Sequence, residues 1–174
     1  VSGIVPEYGE YTGAWASMAF GQALAVPPFQ MARAISAIAN DGVLVQPHFL
    51  VSIAGQQQNY PEVGRAISSD TARQVSEMMY SVIENGYGNT GKVEGYRLSG
   101  KTGTAERVDD TTGLYFANTN TVSFIGFGPT DDPKVLVYVM IDYVTGATGS
   151  EAAGPVWSVI METALKKLQI PPSY

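Results

Sequence analysis

Two residue types that often carry chemistry are nearly missing from this sequence of 174 residues, which has no cysteine and one histidine. Without cysteine, neither a disulfide framework nor a thiolate metal site can form. His48 has no carboxylate or second histidine nearby in the sequence, and a functional histidine usually needs such an orienting partner. We therefore interpret His48 as a structural or surface residue, and the sequence predicts no metal site and no cofactor.

Basic residues are also few: 10 Lys and Arg stand against 16 Asp and Glu, which gives a formal net charge of −6. Because the ten form no cluster, we expect no binding to nucleic acid. No run approaches the roughly 18 consecutive apolar residues of a membrane span, and the first residues lack the basic and apolar regions of a signal peptide. The apolar content of 45% allows a sizeable core, and the length predicts about one domain.

Helix and strand patterns alternate along the first half of the chain, after a turn-rich start over residues 1–10. Residues 28–40 begin with a proline, carry Met31, Ile35 and Ile38 on one side, and are predicted to form a helix. Short strand patterns follow at residues 43–45 and 49–53, and then a polar loop over residues 54–64.

A second helix is predicted over residues 69–85, capped by Ser69 and stopped by Gly86. Its apolar residues recur at the spacing of one helical stripe, which contains Val75, Met78, Met79, Val82 and Ile83. We interpret the methionines as core packing, because flexible thioethers commonly fill irregular gaps. A loop with four glycines follows over residues 87–95.

Three strands are then predicted, over residues 97–106, 120–127 and 135–141, with a polar connection at 109–113. The last two are apolar on both faces, as expected in the middle of a covered sheet, so we expect an antiparallel meander with the first strand on its outer edge. A closing helix should pack on this sheet through the stripe Trp157, Ile160, Met161, Ala164 and Leu168. The predicted fold class is α/β of the α+β type, an antiparallel sheet covered by helices.

Chemically useful side chains concentrate in the first of these strands, which reads Arg-Leu-Ser-Gly-Lys-Thr-Gly-Thr-Ala-Glu over residues 97–106. Alternate side chains of a strand share a face, so the Lys101 ammonium and a neighbouring hydroxyl can converge on a carboxylate, while Gly103 lets another chain approach closely. The backbone of such an edge can also pair with an extended peptide. We interpret this stretch as an active-site edge strand.

Residues 95–102 also fit the phosphate-binding pattern G-x-x-x-x-G-K-[ST]. The apolar run before Asp142 fits the strand that carries a magnesium-binding acid in such proteins. A phosphate-binding loop must leave a buried strand and open a helix, however. Neither a strand pattern before Gly95 nor a helix pattern after Thr102 is present. A P-loop nucleotide-binding protein is therefore the weaker alternative.

The motifs resemble those of a known family, in the same order along almost the whole chain. Lys101-Thr102-Gly103, continued by Thr104, resembles the K-T-G box of the serine penicillin-binding proteins and related β-lactamases. Residues 20–32 (Phe-Gly-Gln-Ala-Leu-Ala-Val-Pro-Pro-Phe-Gln-Met-Ala) are similar to the family's G-Q-G-L-x-V-T-P-L-Q-M-A segment, although Ala23 replaces its glycine and Pro27 its threonine. Further matches are residues 2–7, 37–42, 123–129 and 153–156.

Together these matches resemble the C-terminal part of the transpeptidase domain of a class B penicillin-binding protein of the cell-division type, with the elongation type as the alternative. Two motifs of the family, S-x-x-K and S-x-N, do not occur in residues 1–174. The triplet from Tyr87 to Asn89 imitates a Y-x-N variant but stands too close to Lys101, so we interpret it as a loop. We expect both missing motifs to precede the segment that corresponds to this chain.

The resemblance implies a serine D,D-transpeptidase that cross-links peptidoglycan stem peptides ending in D-Ala-D-Ala and is acylated by β-lactams. It implies that Lys101, Thr102 and Thr104 hold the substrate carboxylate, and that Thr104 N–H supplies one oxyanion-hole donor beside Gly103. The nucleophilic serine would come from the missing N-terminal part, so this chain alone is expected to be inactive.

The resemblance further implies a location on the outer face of the bacterial cytoplasmic membrane, with an anchor that is not in these residues, and cell-division or elongation proteins as partners. A noncatalytic binding or regulatory fragment is the other alternative, because the nucleophile motif is missing.

Overall fold

A computed structural model describes residues 3–5, 12–109 and 111–174 of the chain. The chain divides into two compact units, Val1–Met31 and Ala32–Tyr174. The turn-rich start expected for residues 1–10 lies mostly outside the described residues, as do the ends of the family-like segment at residues 2–7.

The first unit contains helix α1 (Thr12–Met18) and an isolated antiparallel bridge in which Ile4 and Ala25 exchange backbone hydrogen bonds of 2.6 and 2.9 Å. Ala23 has a φ of +61°, in the left-handed region that favours glycine, and it stands where the family usually has glycine. Helix α2 (Pro28–Ala39) starts at a proline, which confirms the predicted helix, and it crosses the boundary into the second unit.

After α2, the strand β1 (Val43–Val45) pairs with β4 (Glu62–Arg65), and β2 (Ser52–Ile53) pairs with β3 (Gln56–Gln57). The predicted strand at residues 49–53 is therefore limited to its last two residues. The prediction of a loop over 54–64 was wrong, because Ala54 and Gly55 both take positive φ and close a tight hairpin.

Helix α3 spans Ser69–Asn85 as predicted, and Gly86 ends it, but the capping residue is Ser68 and not Ser69. Ser68 Oγ accepts the backbone N–H of Thr71 at 3.1 Å. The buried stripe also differs from the prediction: Met78 is 64% exposed, and the side chains that face inward are those of Ala72, Ser76, Met79 and Ile83. The small residues among them allow the following strand to approach the helix closely.

The central element is an antiparallel sheet of three strands in the order β5 (Ser99–Val108), β6 (Tyr115–Gly128) and β7 (Val135–Thr145). The predicted meander is confirmed. Strands β6 and β7 are longer than predicted, whereas β5 has the predicted length but begins and ends two residues later. A short 3₁₀ helix (Asn89–Gly91) leads from α3 toward β5, within the segment predicted as a loop. Among the described strands, β5 pairs on one side only and so forms an edge of the sheet.

A π-helical turn (Gly149–Ala153) leads into the closing helix α4 (Gly154–Lys167), which packs on the sheet. The buried stripe of α4 is Trp157, Met161 and Leu165, whereas Ile160 and Leu168 of the predicted stripe are 44% and 57% exposed. Leu168 lies at the C-cap, where the helix has already ended. The core joins this stripe to one face of the sheet and the end of α3, and it contains Ile83, Val93, Leu98, Val122, Phe124, Val137 and Val139.

Candidate functional site

The segment Lys101 to Thr104, singled out from the sequence, lies in the middle of β5 on the edge of the sheet. Lys101 and Thr104 are exposed, and Thr102 and Gly103 are half-buried. The four residues pair in regular register with Ile125, Phe124, Ser123 and Val122 of β6. They therefore occupy a rigid strand backed by the core, with side chains accessible from outside.

The Lys101 ammonium stays beside the strand edge instead of extending into solvent. Its Nζ donates to the Thr102 carbonyl at 2.9 Å and approaches Thr102 Oγ1 at 3.4 Å. Adjacent side chains of a strand point to opposite faces, so the long lysine side chain has to bend around the edge to reach this carbonyl. The Lys101 ammonium therefore lies beside a neighbouring hydroxyl, and the convergence of the two groups on a carboxylate stays a prediction.

The Thr104 hydroxyl is hydrogen-bonded to the π-helical turn that precedes α4. The backbone N–H of Gly149 donates to Thr104 Oγ1 at 3.0 Å. The turn is itself fixed by a capping box: Glu151 N–H donates to Thr148 Oγ1, and the Glu151 carboxylate accepts the backbone N–H and the hydroxyl of Thr148 at 2.8 Å each. These two hydrogen bonds, the backbone one first, hold the pKa of Glu151 below its usual value.

Two glycines permit this close approach. A Cβ on Gly149 would lie 2.7 Å from the Ser123 carbonyl oxygen and closer still to that of Gly103, and a Cβ on Gly103 would collide with Ser123 Oγ. At Gly103 the space of the missing Cβ is taken by Ser123, and the close approach of another chain at this residue stays a prediction. The turn is also tied to the rest of the core, since Thr90 Oγ1 donates to the Ser150 carbonyl at 2.7 Å.

The start of the strand is anchored to α3 and to the β6–β7 connection. Ser99 is fully buried, and its hydroxyl oxygen lies 2.8 Å from the Ser76 carbonyl and 3.0 Å from Thr130 Oγ1. Two residues before it, Arg97 Nη2 donates to both carboxylate oxygens of Glu77 at 3.1 Å. The first residues of β5 are therefore fixed, and Lys101 is the first residue of the strand with an exposed side chain.

The structure contradicts the nucleotide-binding alternative. Lys101 and Thr102 lie inside β5 and do not open a helix, and Asp142 accepts hydrogen bonds from Thr121 Oγ1 at 2.5 Å and from the Tyr143 backbone N–H at 3.0 Å. A P-loop requires a helix that starts at the Lys-Thr pair.

Two other sequence features judged nonfunctional, His48 and the triplet that begins at Tyr87, carry exposed side chains. His48 is exposed and stacks on Tyr60 with ring centroids 3.7 Å apart, as a surface residue can. Tyr87 is 90% exposed and precedes the 3₁₀ helix. No group of three or more His, Asp or Glu side chains that could hold a metal ion occurs in the described part of the chain. Within the same ranges, no helix is both long enough and apolar enough to cross a membrane.

The sequence analysis missed Gly149 and the turn around it, because residues 142–152 look like an ordinary glycine-containing connection. One signal was available: Thr148 and Glu151 have the spacing of a capping box, which marks the start of a helical segment. The contact of that segment with Thr104 depends on tertiary structure and has no sequence signature.

Comparison with known proteins gives consistent matches. A family model for the penicillin-binding protein transpeptidase domain matches residues 1–162. Stage V sporulation protein D of Bacillus subtilis is 38% identical over 166 residues, which are 90% of this chain and 25% of that protein. The probable peptidoglycan D,D-transpeptidase PenA of Neisseria gonorrhoeae is 38% identical over 161 residues, which are 91% of this chain and 26% of that protein.

Among solved structures, penicillin-binding protein 3 of Mycobacterium tuberculosis in complex with ampicillin is similar, with a TM-score of 0.85 and 29% identity. The match covers 98% of this chain and 41% of that one. The chain thus spans about a quarter of the length of the two curated relatives named above.

Proposed function

Because this chain belongs to the penicillin-binding protein transpeptidase family, we propose that the protein of which it forms part is a serine D,D-transpeptidase that cross-links peptidoglycan stem peptides ending in D-Ala-D-Ala. The observation that carries the proposal is the family match over residues 1–162, which includes the accessible Lys101 strand. The resemblance to class B members is confirmed by the relatives, which include PenA and penicillin-binding protein 3.

The reaction requires a serine, which we place outside these 174 residues together with the S-x-N motif. Its oxygen attacks the carbonyl carbon of the penultimate D-Ala, and the amide bond to the terminal D-Ala breaks as the new ester bond forms. The serine proton passes through a general base to the departing amine of D-Ala. The amine of a second stem peptide then attacks the ester, forms the cross-link, and releases the serine with its proton restored.

Lys101, Thr102 and Thr104 are proposed to bind the carboxylate of the terminal D-Ala. The Lys101 ammonium lies 3.4 Å from Thr102 Oγ1, so a cation and a hydroxyl already share one edge. Thr104 Oγ1 accepts the Gly149 N–H, which leaves its single proton to be donated to another group. A charge-assisted hydrogen bond of this kind contributes about 1.5 to 3 kcal/mol.

The backbone of the same strand is proposed to supply one oxyanion-hole donor, the Thr104 N–H. In an antiparallel strand the backbone groups of residues i and i+2 point to the same side. The Thr102 carbonyl is reached by Lys101 Nζ at the open edge, which supports the same orientation for Thr104. The loss of one oxyanion-hole donor typically costs about 3 kcal/mol of transition-state stabilisation.

Penicillin and its relatives would acylate the same serine, since one structural relative is described in complex with ampicillin. The sporulation and PenA relatives favour a role in cell-wall synthesis at the outer face of the cytoplasmic membrane, with a membrane anchor outside these residues. Cell-division proteins are the proposed partners, and elongation proteins are the alternative.

The proposal is tested by labelling the complete protein with a fluorescent penicillin and mapping the modified peptide by mass spectrometry. The expected result is one hydrolysis-resistant adduct on a serine outside residues 1–174. An adduct on a serine within these residues would contradict the assignment of the nucleophile. Reversible binding without any adduct would contradict the enzymatic function and favour the noncatalytic binding alternative.

A further inference from the structure

Strand β7 has one residue more than β6 at a point where the two strands pair. Asp142 and Tyr143 of β7 stand opposite Thr121 alone of β6. Regular pairs flank this point on both sides, namely Val122 with Ile141 and Asn120 with Val144. Such a β-bulge bends its strand, and the φ of +56° at Tyr143 is unusual for a bulky side chain. The path of β7 beyond the bulge therefore depends on what holds these two residues.

The Asp142 carboxylate holds the bulge with both of its oxygens. Oδ1 accepts the Tyr143 backbone N–H at 3.0 Å and the Thr121 hydroxyl at 2.5 Å. Because the extra residue of a bulge is left unpaired in the strand ladder, a side-chain acceptor can take the place of the missing strand partner. Oδ2 lies 3.7 Å from Arg107 Nη2. Asp142 thus contacts the backbone of the bulge, β6 and a cation of β5.

Arg107 fastens the bulge to the strand that carries Lys101. It belongs to β5, although β6 lies between β5 and β7. Its Nη2 lies 3.2 Å from the Tyr143 hydroxyl, and its guanidinium carbon lies 4.8 Å from the centroid of the Tyr143 ring. The long side chain therefore crosses β6 to reach the bulge.

Beyond the bulge, the chain returns to β5 within a few residues. The Gly146 N–H donates to the Asn118 carbonyl at 3.2 Å, and the Gly149 N–H then donates to Thr104 Oγ1 at 3.0 Å. The bulge and the Thr104 hydroxyl are thus joined by one short connection. A change in the direction of β7 at the bulge would shift the N–H that orients this hydroxyl.

We propose that Asp142 is a positioning residue for the carboxylate site. By holding the bulge, it sets the path of residues 144–149 and so keeps the Gly149 N–H in place to orient the Thr104 hydroxyl. Asp142 acts through this connection and not by contact with the substrate. The inference rests on the proposed function, and it adds to the site a residue of β7, the strand at the other end of the described sheet.

The experiment compares acylation of the complete protein by benzylpenicillin and by its methyl ester, which lacks the free carboxylate. The ratio of the two second-order rate constants measures recognition of the carboxylate, and it does not depend on the fraction of folded protein. We expect Asp142→Ala to lower this ratio about three- to tenfold, because a misaligned hydroxyl loses its hydrogen bond to the carboxylate. Asp142→Asn keeps a side-chain oxygen at the bulge and should retain most of the ratio.

Two further variants show whether the effect passes through Thr104. Thr104→Val removes the hydroxyl itself, so the addition of Asp142→Ala to it should lower the ratio no further. A further fall in the double variant would refute the proposed route. The matched control is Asp132→Ala, which removes an exposed carboxylate paired with Lys134 and should leave the ratio at the wild-type value.

Hydrogen exchange of the Gly149 amide gives a second readout that does not involve the reaction. Exchange should be faster in Asp142→Ala, while the amide of the buried Val139 keeps its protection. If Asp142→Ala does not fold, Thr121→Val, which removes one hydrogen bond to Oδ1, is judged by the same two readouts. An unchanged ratio or an unchanged Gly149 exchange would overturn the inference. Absence of penicillin acylation in the wild-type protein would instead contradict the proposed function.

Discussion

The backbone N–H of Gly149 donates a hydrogen bond of 3.0 Å to Thr104 Oγ1, and this contact joins the connection before α4 to the strand that carries Lys101. Gly149 is buried and packs against the backbone of Gly103 and Ser123. The hydroxyl of Thr104 is thereby oriented by the protein before any substrate binds. The connection between β7 and α4 acts as the support for the proposed carboxylate site.

Replacing Gly149 with alanine should disturb this support. The added Cβ would lie 2.7 Å from the Ser123 carbonyl oxygen and closer to that of Gly103, and neither backbone group can move without shifting a strand. We expect a loss of about 1 to 3 kcal/mol in the free energy of unfolding, as is usual for overpacking. Acylation by penicillin should also slow, and both effects can be measured by urea denaturation and stopped-flow labelling of the complete protein.

The matched control is Gly13→Ala in α1, where a Cβ would meet nothing within 4 Å. That exchange should leave acylation unchanged and stabilise the helix by up to about 1 kcal/mol. If Gly149→Ala acylates as fast as the wild type and unfolds at the same urea concentration, the support role of the turn is wrong.

The strand order and the outer-edge position of the Lys101 strand could be predicted from the sequence, because the long apolar runs in β6 and β7 mark those two strands as the covered part of the sheet. The helix faces were predicted less well. Ser76 is buried because it lies where β5 meets α3, with its carbonyl 2.8 Å from Ser99 Oγ, and hydrophobic periodicity favoured Met78 in its place. Polar contacts between elements that are distant in sequence determine which face of α3 is buried, and hydrophobic periodicity does not reveal such contacts.

In α4 the error has a different cause. The predicted stripe runs to Leu168, but the helix ends at Lys167. The buried positions of α4 are four residues apart, and the last of them is Leu165. The end of a helix depends on which N–H groups donate to its last carbonyls. In α4 the Leu168 N–H donates to the Ala164 carbonyl, and the Ile170 N–H donates to the Leu165 carbonyl.

Arg97 should be sensitive to replacement by lysine, although the charge is kept. Its guanidinium contacts Glu77 at 3.1 Å and Asp131 at 3.6 Å, and it stacks 4.4 Å from the Tyr80 ring centroid. A point-like ammonium cannot make all three contacts at once. We expect Arg97→Lys to lower the free energy of unfolding by about 1 kcal/mol, as measured in urea.

Arg73 provides the comparison, since its pair with Asp70 is largely solvent-exposed. Arg73→Lys should change the free energy of unfolding by less than about 0.5 kcal/mol. Equal effects of the two replacements would show that the stacking and double contact of Arg97 contribute nothing specific.

Asp142 should show a pH dependence that Thr121 controls. The Thr121 hydroxyl, more than the Tyr143 backbone N–H or the Arg107 charge, holds the pKa of Asp142 below its ordinary value of 3.8. A lowered pKa in the folded state means that the ionised group stabilises the fold above pH 3.8, and that this stabilisation is lost as the pH falls through the folded-state pKa.

Thr121→Val should therefore move the pKa of Asp142 back toward 3.8, which can be followed by NMR titration of its carboxyl carbon. The variant should be less stable than the wild type at neutral pH, and this difference should diminish once Asp142 is protonated in both proteins. Thr163→Val, on the exposed face of α4, is the control and should leave the Asp142 titration unchanged. An unchanged titration in Thr121→Val would disprove the assigned cause.

Lys101 is expected to matter through its charge at the carboxylate site and not through packing. Its side chain is exposed, and its ammonium contacts only Thr102 among the described residues, so Lys101→Met should change the free energy of unfolding by less than about 0.5 kcal/mol. Loss of a charge-assisted hydrogen bond to the bound carboxylate should cost about 1.5 to 3 kcal/mol, which slows acylation by β-lactams about ten- to a hundredfold.

Lys101→Arg should recover part of the lost acylation rate, because it restores a cation at a different distance from the edge. Lys167→Met, which removes an exposed cation from the end of α4, is the matched control and should acylate like the wild type. Melting temperatures and acylation rates of all three variants are compared in the complete protein. If Lys101→Met acylates at the wild-type rate, or if it loses activity only because its melting temperature falls, then the Lys101 ammonium does not bind the carboxylate.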